Sequence, residues 1–248
     1  MKAFASDLDG TLVFDREVKD KDKEAIHMFQ KKNMFGICTG RPVCSLFDIE
    51  DIPFDFYIVS SGALLLDRNK KMIEEHIIDK NLAKDIFNYY VNKATIIVQT
   101  NDLHHFYATG VYNNPLLTLI NSFEDIGDLK VYSISLIFDT NKEAASYVLD
   151  VNERYPLLAG YQNNNSIDIV IKGVSKGTGV KAMKKHLNAE EMLGIGDSYN
   201  DLPLFKASDR SFTFHSSPED IKLQVNDVVN SVSEAIYKDR VDEKKCQF

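Results

Sequence analysis

A short apolar run, Ala3-Phe4-Ala5, stops at Asp7-Leu8-Asp9-Gly10-Thr11: two carboxylates two residues apart, followed at once by a glycine. The run reads as a buried strand and Gly10-Thr11 as the turn that ends it, which leaves both acids at the strand's carboxyl end. In open α/β sheets that edge is where ligands bind. Two acids held there repel unless a cation or a shared proton relieves them, so the pair predicts a metal, a proton-transfer role, or both. A solvated acidic turn is the alternative, and the pair alone does not decide.

The next segments define the sheet that this strand joins. Ala25, Ile26, Met28 and Phe29 fall at helical spacing within Asp20 to Asn33, and Phe35 to Cys38 is then a short buried strand. A second helix is expected from Pro42, then a strand over Phe56 to Val59 and a hairpin of Ala63 to Leu66 with Met72 to Ile77 around Asp67-Arg68-Asn69-Lys70. This βαβαβ start predicts a parallel sheet.

The middle differs. An amphipathic helix over Asn81 to Lys93 leads to strands at Thr95 to Gln99, His104 to Tyr107 and Val131 to Phe138. A helix over Asn141 to Arg154 then precedes strands Leu157 to Tyr161 and Ile167 to Ile171, parted by Asn163-Asn164-Asn165. Short adjacent strands with interspersed helices indicate an α+β module with an antiparallel sheet. From Ser175 the α/β alternation resumes: helix to Leu187, strand Met192 to Ile195, helix from about Asp201, strand Ser211 to Phe214. The expected organisation is an α/β core over 1–80 and 173–248, interrupted by an inserted module over 81–172.

Composition narrows the partners. The chain has 248 residues, 44% of them hydrophobic, enough for one large core or two modest ones. A formal charge of -8 without a Lys/Arg-rich block argues against nucleic acid, while a phosphorylated small molecule remains admissible if local cations or a metal offset the acids. With no apolar segment long enough for a signal peptide or a membrane span, the chain reads as soluble and cytoplasmic. Cys38, Cys44 and Cys246 form neither a metal-ligand spacing nor an even set for disulfides, and Cys38 suits a buried strand.

Three further motifs fall at strand ends or helix starts. Cys38-Thr39-Gly40-Arg41-Pro42 sets a hydroxyl and a glycine between a strand and the expected helix, either as a seat for an anion or as a plain cap. In Gly173-Val174-Ser175-Lys176-Gly177, Lys176 occupies the first turn of a helix capped by Ser175, where a cation opposes the helix dipole unless it points to water or an anion is bound. Gly194-Ile195-Gly196-Asp197-Ser198-Tyr199-Asn200-Asp201 repeats the opening logic of a strand with acids at its end. Asp197 is placed toward the same sheet edge as Asp7, with Asn200 and Asp201 in the first helical turn; an ordinary capped helix start is the plainer account.

In this order the four segments resemble the motifs of the haloacid dehalogenase superfamily, and most closely its Cof-type, subclass IIB phosphatases. The resemblance covers essentially the whole chain, strongly in the core motifs and weakly in the insertion. It implies a Rossmann-like, doubly wound parallel-sheet core with an inserted α+β cap domain. It also implies phosphate-monoester hydrolysis with Asp7 as nucleophile and Asp9 as general acid/base. Mg²⁺ would be held by Asp7, the backbone carbonyl of Asp9 and Asp197. Thr39, the backbone N–H groups of Leu8 and Gly40, Lys176 and Asn200 would bind the phosphoryl group, with Asp201 orienting the metal site or Lys176 from behind. Within the resemblance Asp9 favours phosphatase or phosphomutase chemistry, with a phosphatase as the leading reading and a sugar phosphomutase as the runner-up, while the intact acids and Lys176 count against an idle ligand-binding module. Ser61-Gly62-Ala63 departs from the usual Asn-Gly-Ala after the third strand. The leaving-group pocket is expected from the insertion, with Tyr107, Tyr112, Asn113, Asn114 and Asp168 as candidates. Plainer roles are preferred for each: Tyr107 in the cap core, the Asn pair in a turn before Pro115, Asp168 on a solvent-facing strand. His104 and His105, taken as neighbours on a strand, point to opposite faces and receive no catalytic role.

Overall fold

The computed structural model describes residues 1–46, 49, 52–110 and 114–245, the last six of these by backbone only. In chain order the elements are β1 (Lys2–Ser6), α1 (Asp20–Gln30), β2 (Met34–Cys38), β3 (Phe56–Val59), β4 (Leu64–Asp67), β5 (Met72–Glu75), α2 (Lys80–Tyr90), β6 (Thr95–Thr100), β7 (Phe106–Ala108) and β8 (Leu117–Leu119). Then come β9 (Val131–Ile137), α3 (Asn141–Arg154), β10 (Leu158–Asn163), β11 (Ser166–Ile171), α4 (Lys176–Leu187), β12 (Glu191–Ile195), α5 (Leu202–Ala207), β13 (Arg210–Phe214), α6 (Glu219–Lys222), β14 (Asp227–Val229) and α7 (Val232–Lys245).

Eight strands form one sheet in the order β14-β13-β12-β1-β2-β3-β4-β5. The pairs from β14 to β3 are parallel, and the β4–β5 hairpin adds an antiparallel edge. The chain runs outward from β1 through β2 and β3, then returns on the other side through β12, β13 and β14. That reversal makes the β1/β12 seam the switch point of a doubly wound α/β sheet, the place where the loops after neighbouring strands part.

Strand alternation explains the two faces. On β1, Phe4 joins the cluster beneath α1 and α7, stacking on Phe35 at 5.2 Å and on Phe212 at 6.0 Å, with Phe29 edge-on at 5.9 Å. Ala3 and Ala5 face the opposite side with Ile58, Val180 and Met183, where small residues let α4 approach closely. Asp22 of α1, 2% exposed, accepts a hydrogen bond from the Ser233 backbone N–H at 2.7 Å and so joins α1 to the start of α7.

The second sheet has the order β10-β11-β9-β6-β7-β8, antiparallel except for β7–β8. Ile96 and Val98 of β6, Ile134 and Leu136 of β9, and Ile167 and Ile169 of β11 all face α2 and α3. Period two then turns Ile97, Gln99, Ser135 and Asp168 to the other face, toward the first sheet. The chain passes between the sheets twice. Ile78 N–H bonds Val131 O at 2.9 Å at one crossing, and the Tyr161 hydroxyl bonds Val174 O at 3.1 Å at the other.

Two expectations fail locally. The helix expected from Pro42 is only a 3-10 turn over Val43–Ser45, with Phe47, Asp48, Glu50 and Asp51 outside the described residues. Ser45 Oγ turns back onto Pro42 O at 3.1 Å, and Arg41 Nη1 donates to Ser45 O at 3.0 Å, so side chains take the bonds that a helical ladder would use. His104 and His105 precede β7 rather than lie on it, because their backbone N–H groups are held by Asp102 Oδ1 at 2.8 and 3.1 Å in a turn.

Gly62 meets a tight constraint. Its φ is +98°, and a Cβ there would stand 2.2 Å from the carbonyl oxygen of Ser175, just before α4. Gly62→Ala should lower stability by roughly 3 kcal/mol and displace the start of α4, read as a drop in melting temperature. An unchanged melting temperature would show that this approach is not tight.

Candidate active site

The core-motif groups singled out in the sequence now have a place. Asp7 lies just past β1, and its backbone N–H donates to Ile195 O at 2.9 Å, which carries the β1/β12 ladder one step beyond the strands. On the other side of the seam Asp197 accepts from the Thr11 hydroxyl at 2.9 Å through Oδ1. Ser198 and Asp201 form a capping box at the 3-10 turn Tyr199–Asp201. Asp201 Oδ2 accepts the backbone N–H groups of Asp197 and Ser198 at 3.0 and 3.1 Å.

Lys176 ties these loops together. Its Nζ lies 2.6 Å from Asp7 Oδ1 and 2.6 Å from Asp201 Oδ1, with the lysine only 2% exposed and Asp201 fully buried. The protein's own carboxylates hold it. A buried ion triad of this kind survives only because each member is hydrogen-bonded, and removing one strands the others. Burial alone would lower the Lys176 pKa, but the Asp201 and Asp7 carboxylates outweigh it and keep the ammonium charged.

The acids remain in excess. Asp7, Asp197 and Asp201 can each bring one oxygen within 4.8 Å of the others. Burial, followed by repulsion from Asp201, pushes Asp7 well above the usual carboxylate range, against the pull of Lys176. The same two causes in the same order raise Asp197 to about 6. Three carboxylates facing one ammonium form a donor set of hard oxygens short of positive charge, which fits a divalent cation such as Mg²⁺. Both Asp201 oxygens are already bonded to Lys176 and to backbone N–H groups, so Asp7 and Asp197 are the carboxylates better placed to serve as ligands.

Asp9 stands apart from this cluster, its carboxylate 58% exposed and forked onto the Arg41 guanidinium. Thr39 is 1% exposed, and its Oγ1 accepts the Arg41 backbone N–H at 3.1 Å, closing the turn after β2. Without a helix after Pro42, no helix dipole supports an anion at Thr39. Asn200 is buried, and its Oδ1 has no hydrogen-bond partner among the described residues. The Leu8 side chain is fully buried in the core.

Asp7, Asp9, Thr39, Asp197 and Asn200 line one cavity of about 450 Å³ between the two sheets, with Lys176 and Asp201 behind its wall. The core side contributes Asp7, Asp9, Thr39, Gly40, Asp197 and Asn200, and the inserted side contributes Ile97, Gln99, Phe106, Asn114, Asn163 and Asp168. Sequence reasoning missed Gln99 and Arg41. Asp168 corrects an expectation: it is 4% exposed rather than solvent-facing, with Oδ1 accepting from Ser135 Oγ at 2.7 Å and Oδ2 from Ser61 Oγ at 3.2 Å. Tyr107 packs against the inserted module's core and donates its hydroxyl to Asp102 Oδ2 at 3.0 Å. Asn114 lines the cavity while its Oδ1 caps the Leu116 N–H at 2.9 Å, so the turn and the cavity share it. Tyr112 and Asn113 lie outside the described residues.

The sequence family decides what this geometry belongs to. The family model for haloacid dehalogenase-like hydrolases matches residues 4–238. The chain belongs to that family.

Relatives of this haloacid dehalogenase-like hydrolase span it almost end to end. A phosphoglycolate phosphatase of Sulfurisphaera tokodaii is 26% identical, covering 90% of this chain and 85% of its own. A putative phosphatase of Buchnera aphidicola is also 26% identical, over 86% of each. Among solved structures, a haloacid dehalogenase-like hydrolase from B. subtilis aligns with a TM-score of 0.82 at 22% identity, covering 95% of this chain and 96% of that one. A subclass IIB sugar phosphatase aligns with a TM-score of 0.82 at 19% identity, over 99% of both chains. At these identities the structural likenesses establish a shared fold. Among the described residues, no helix of this hydrolase is long and apolar enough to cross a membrane.

The raised Asp197 value sets a pH dependence. A cation must displace the proton, so Mg²⁺ affinity measured by calorimetry should rise with pH through about 6. An acid whose folded pKa is raised stabilises the fold below its ordinary value, and that contribution is lost as pH climbs through the folded value. The metal-free melting temperature should therefore fall as pH rises through about 6, and added Mg²⁺ should restore it. Cation affinity that is flat across this range would contradict the assignment.

Proposed function

We propose that the chain is a Mg²⁺-dependent phosphatase that hydrolyses the phosphate monoester of a small metabolite, a sugar phosphate or related compound, through an aspartyl-phosphate intermediate. The observation that carries the reading is Asp7 gripped by Lys176 at the switch point, with Asp197 beside it, inside a cavity of about 450 Å³. Family membership and phosphatase-named relatives lend it support.

In this reading the Asp7 carboxylate attacks phosphorus, and Lys176 fixes its orientation through Oδ1. Two of the three ammonium hydrogens are taken by Asp7 and Asp201, which leaves one for a phosphoryl oxygen. Thr39, the backbone N–H groups of Leu8 and Gly40, and Asn200 bind the remaining oxygens and stabilise their charge. Asp9, which lines the cavity with an exposed carboxylate, protonates the leaving oxygen and then takes a proton from the attacking water. Asp7, Asp197 and the Asp9 backbone carbonyl would hold Mg²⁺. When bound, the ion supplies charge neutralisation and alignment of the phosphoryl group. Asp201 orients Lys176 and the Asp197 loop from behind. The inserted module acts as a cap domain whose Ile97, Gln99, Phe106, Asn114, Asn163 and Asp168 meet the leaving group.

A hydrolysis screen over sugar phosphates, nucleotides and phosphorylated cofactors with Mg²⁺ checks the assignment. Asp7→Asn should cut phosphate release by roughly 10³-fold or more. Asp9→Asn should slow turnover about 10²- to 10⁴-fold with Mg²⁺ affinity largely kept. Release that survives Asp7→Asn would sink the nucleophile assignment, and product isomers with little free phosphate would mark a mutase instead. Metal affinity lost in Asp9→Asn as severely as in Asp197→Asn would contradict a backbone-only role for Asp9.

A further inference from the structure

The Asp9 side chain has a fixed partner that the proposed chemistry leaves unused. Arg41 Nε donates to Asp9 Oδ2 at 2.8 Å, and Arg41 Nη2 donates to Oδ1, a two-point fork that sets the plane of the carboxylate as well as its distance. The guanidinium is anchored in turn, because Nη1 donates to Ser45 O at 3.0 Å. The Arg41 backbone is pinned too: its N–H donates to Thr39 Oγ1 at 3.1 Å and its carbonyl accepts from Ser60 N–H at 2.9 Å.

The inserted module presses on this same peptide. Gln99 Nε2 donates to Gly40 O at 2.8 Å, and Asp168 Oδ2 stands 2.8 Å from where a Cβ on Gly40 would lie. Any side chain at position 40 would collide with that carboxylate, so the module rests directly on the residue before Arg41.

We propose that Arg41 is a positioning residue for Asp9, holding its carboxylate in the orientation needed for proton transfer, with Gln99 and Asp168 seating the Gly40–Arg41 peptide beneath the cap. The inference rests on the phosphatase reading. In the first half of that reaction the bond from phosphorus to the leaving oxygen breaks as the Asp7 oxygen bonds to phosphorus, and Asp9 gives its proton to the departing oxygen. In the second half water bonds to phosphorus, the Asp7–phosphorus bond breaks, and the water proton passes to Asp9. The carboxylate exists between the halves, and that is the form Arg41 grips. A misoriented Asp9 therefore slows both halves for an alkyl leaving group, whereas a leaving group that departs as a stable anion needs no proton and exposes the second half alone.

This separates the roles experimentally. Arg41→Met is compared with the native chain on an alkyl phosphate drawn from the screen and on p-nitrophenyl phosphate, with rapid-quench measurement of phosphorylated protein. We expect kcat on the alkyl phosphate to fall about 10²-fold with KM nearly unchanged. On p-nitrophenyl phosphate a burst of nitrophenolate and accumulated phosphoenzyme should appear that the native chain shows weakly or not at all. Arg41→Lys, which offers one contact instead of a fork, should fall between the two. Equal losses on both substrates without phosphoenzyme, or a rise in KM with kcat intact, would overturn the inference. If Arg41→Met fails to fold by its melting curve, the Arg41→Lys comparison stands by the same criteria. A native chain that hydrolyses neither substrate would instead defeat the phosphatase reading on which the inference rests.

Discussion

The Lys176 ammonium is the interaction on which the rest of the site depends. It opens α4, where the helix dipole disfavours a cation, and it lies out of water, where a lone charge is costly. Asp7 from the loop after β1 and Asp201 from the turn after β12 make the position tenable. Three segments far apart in sequence are thereby fixed to a common point at the one seam where a doubly wound sheet leaves room between its loops. The ion triad therefore acts as a structural clamp, and with Asp197 beside it leaves an excess of negative charge that fits a divalent cation.

The inserted module bears on that clamp indirectly. Its contacts reach the loops after β2 and β3 through Gln99 on Gly40 and Asp168 on Ser61. Ser60 and Ser61 both have positive φ, at 50° and 57°, an uncommon conformation for residues with a Cβ. That strain is held by Ser60 and Ser61 N–H bonds to Arg41 O and Thr39 O at 2.9 and 3.0 Å. The Ser61 hydroxyl then reaches Asp168. Ser61 thus contributes a contact across the two sheets.

The sequence carried most of the elements that have a local cause. α3 follows the helix expected over Asn141 to Arg154, with Thr140 Oγ1 accepting the Glu143 N–H at 3.1 Å at its start, and the β-strand runs of the core sheet were short, apolar and bounded by turn residues. The core motifs were readable from their order along the chain, since the carboxylate pair alone did not decide between a site and a solvated turn. Nonlocal features escaped. Asp168 sits between Ile167 and Ile169, an alternation that reads as polar-outward; the outward face is covered by another part of the chain. The Asp9–Arg41 fork joins residues 32 positions apart with no pattern to announce it. The helix expected from Pro42 failed because Arg41 and Ser45 side-chain bonds close a turn there. β8 is three residues long and half-exposed, too brief for periodicity to register.

The alternation of the second sheet separates two kinds of evolutionary freedom. Residues such as Ile96, Val98, Ile134 and Leu136 answer to helix packing, while their immediate neighbours Ile97, Gln99 and Ser135 answer to whatever occupies the space beneath. Ile97 faces the cavity without a side-chain hydrogen bond, whereas Gln99 and Ser135 are also tied to Gly40 and Asp168, so the two sets differ in what a substitution disturbs. A one-residue insertion within β6 or β9 would exchange the two sets at once, sending apolar side chains into the cavity and polar ones into the core. Length in these strands should therefore drift far more slowly than the identity of the residues that face the site.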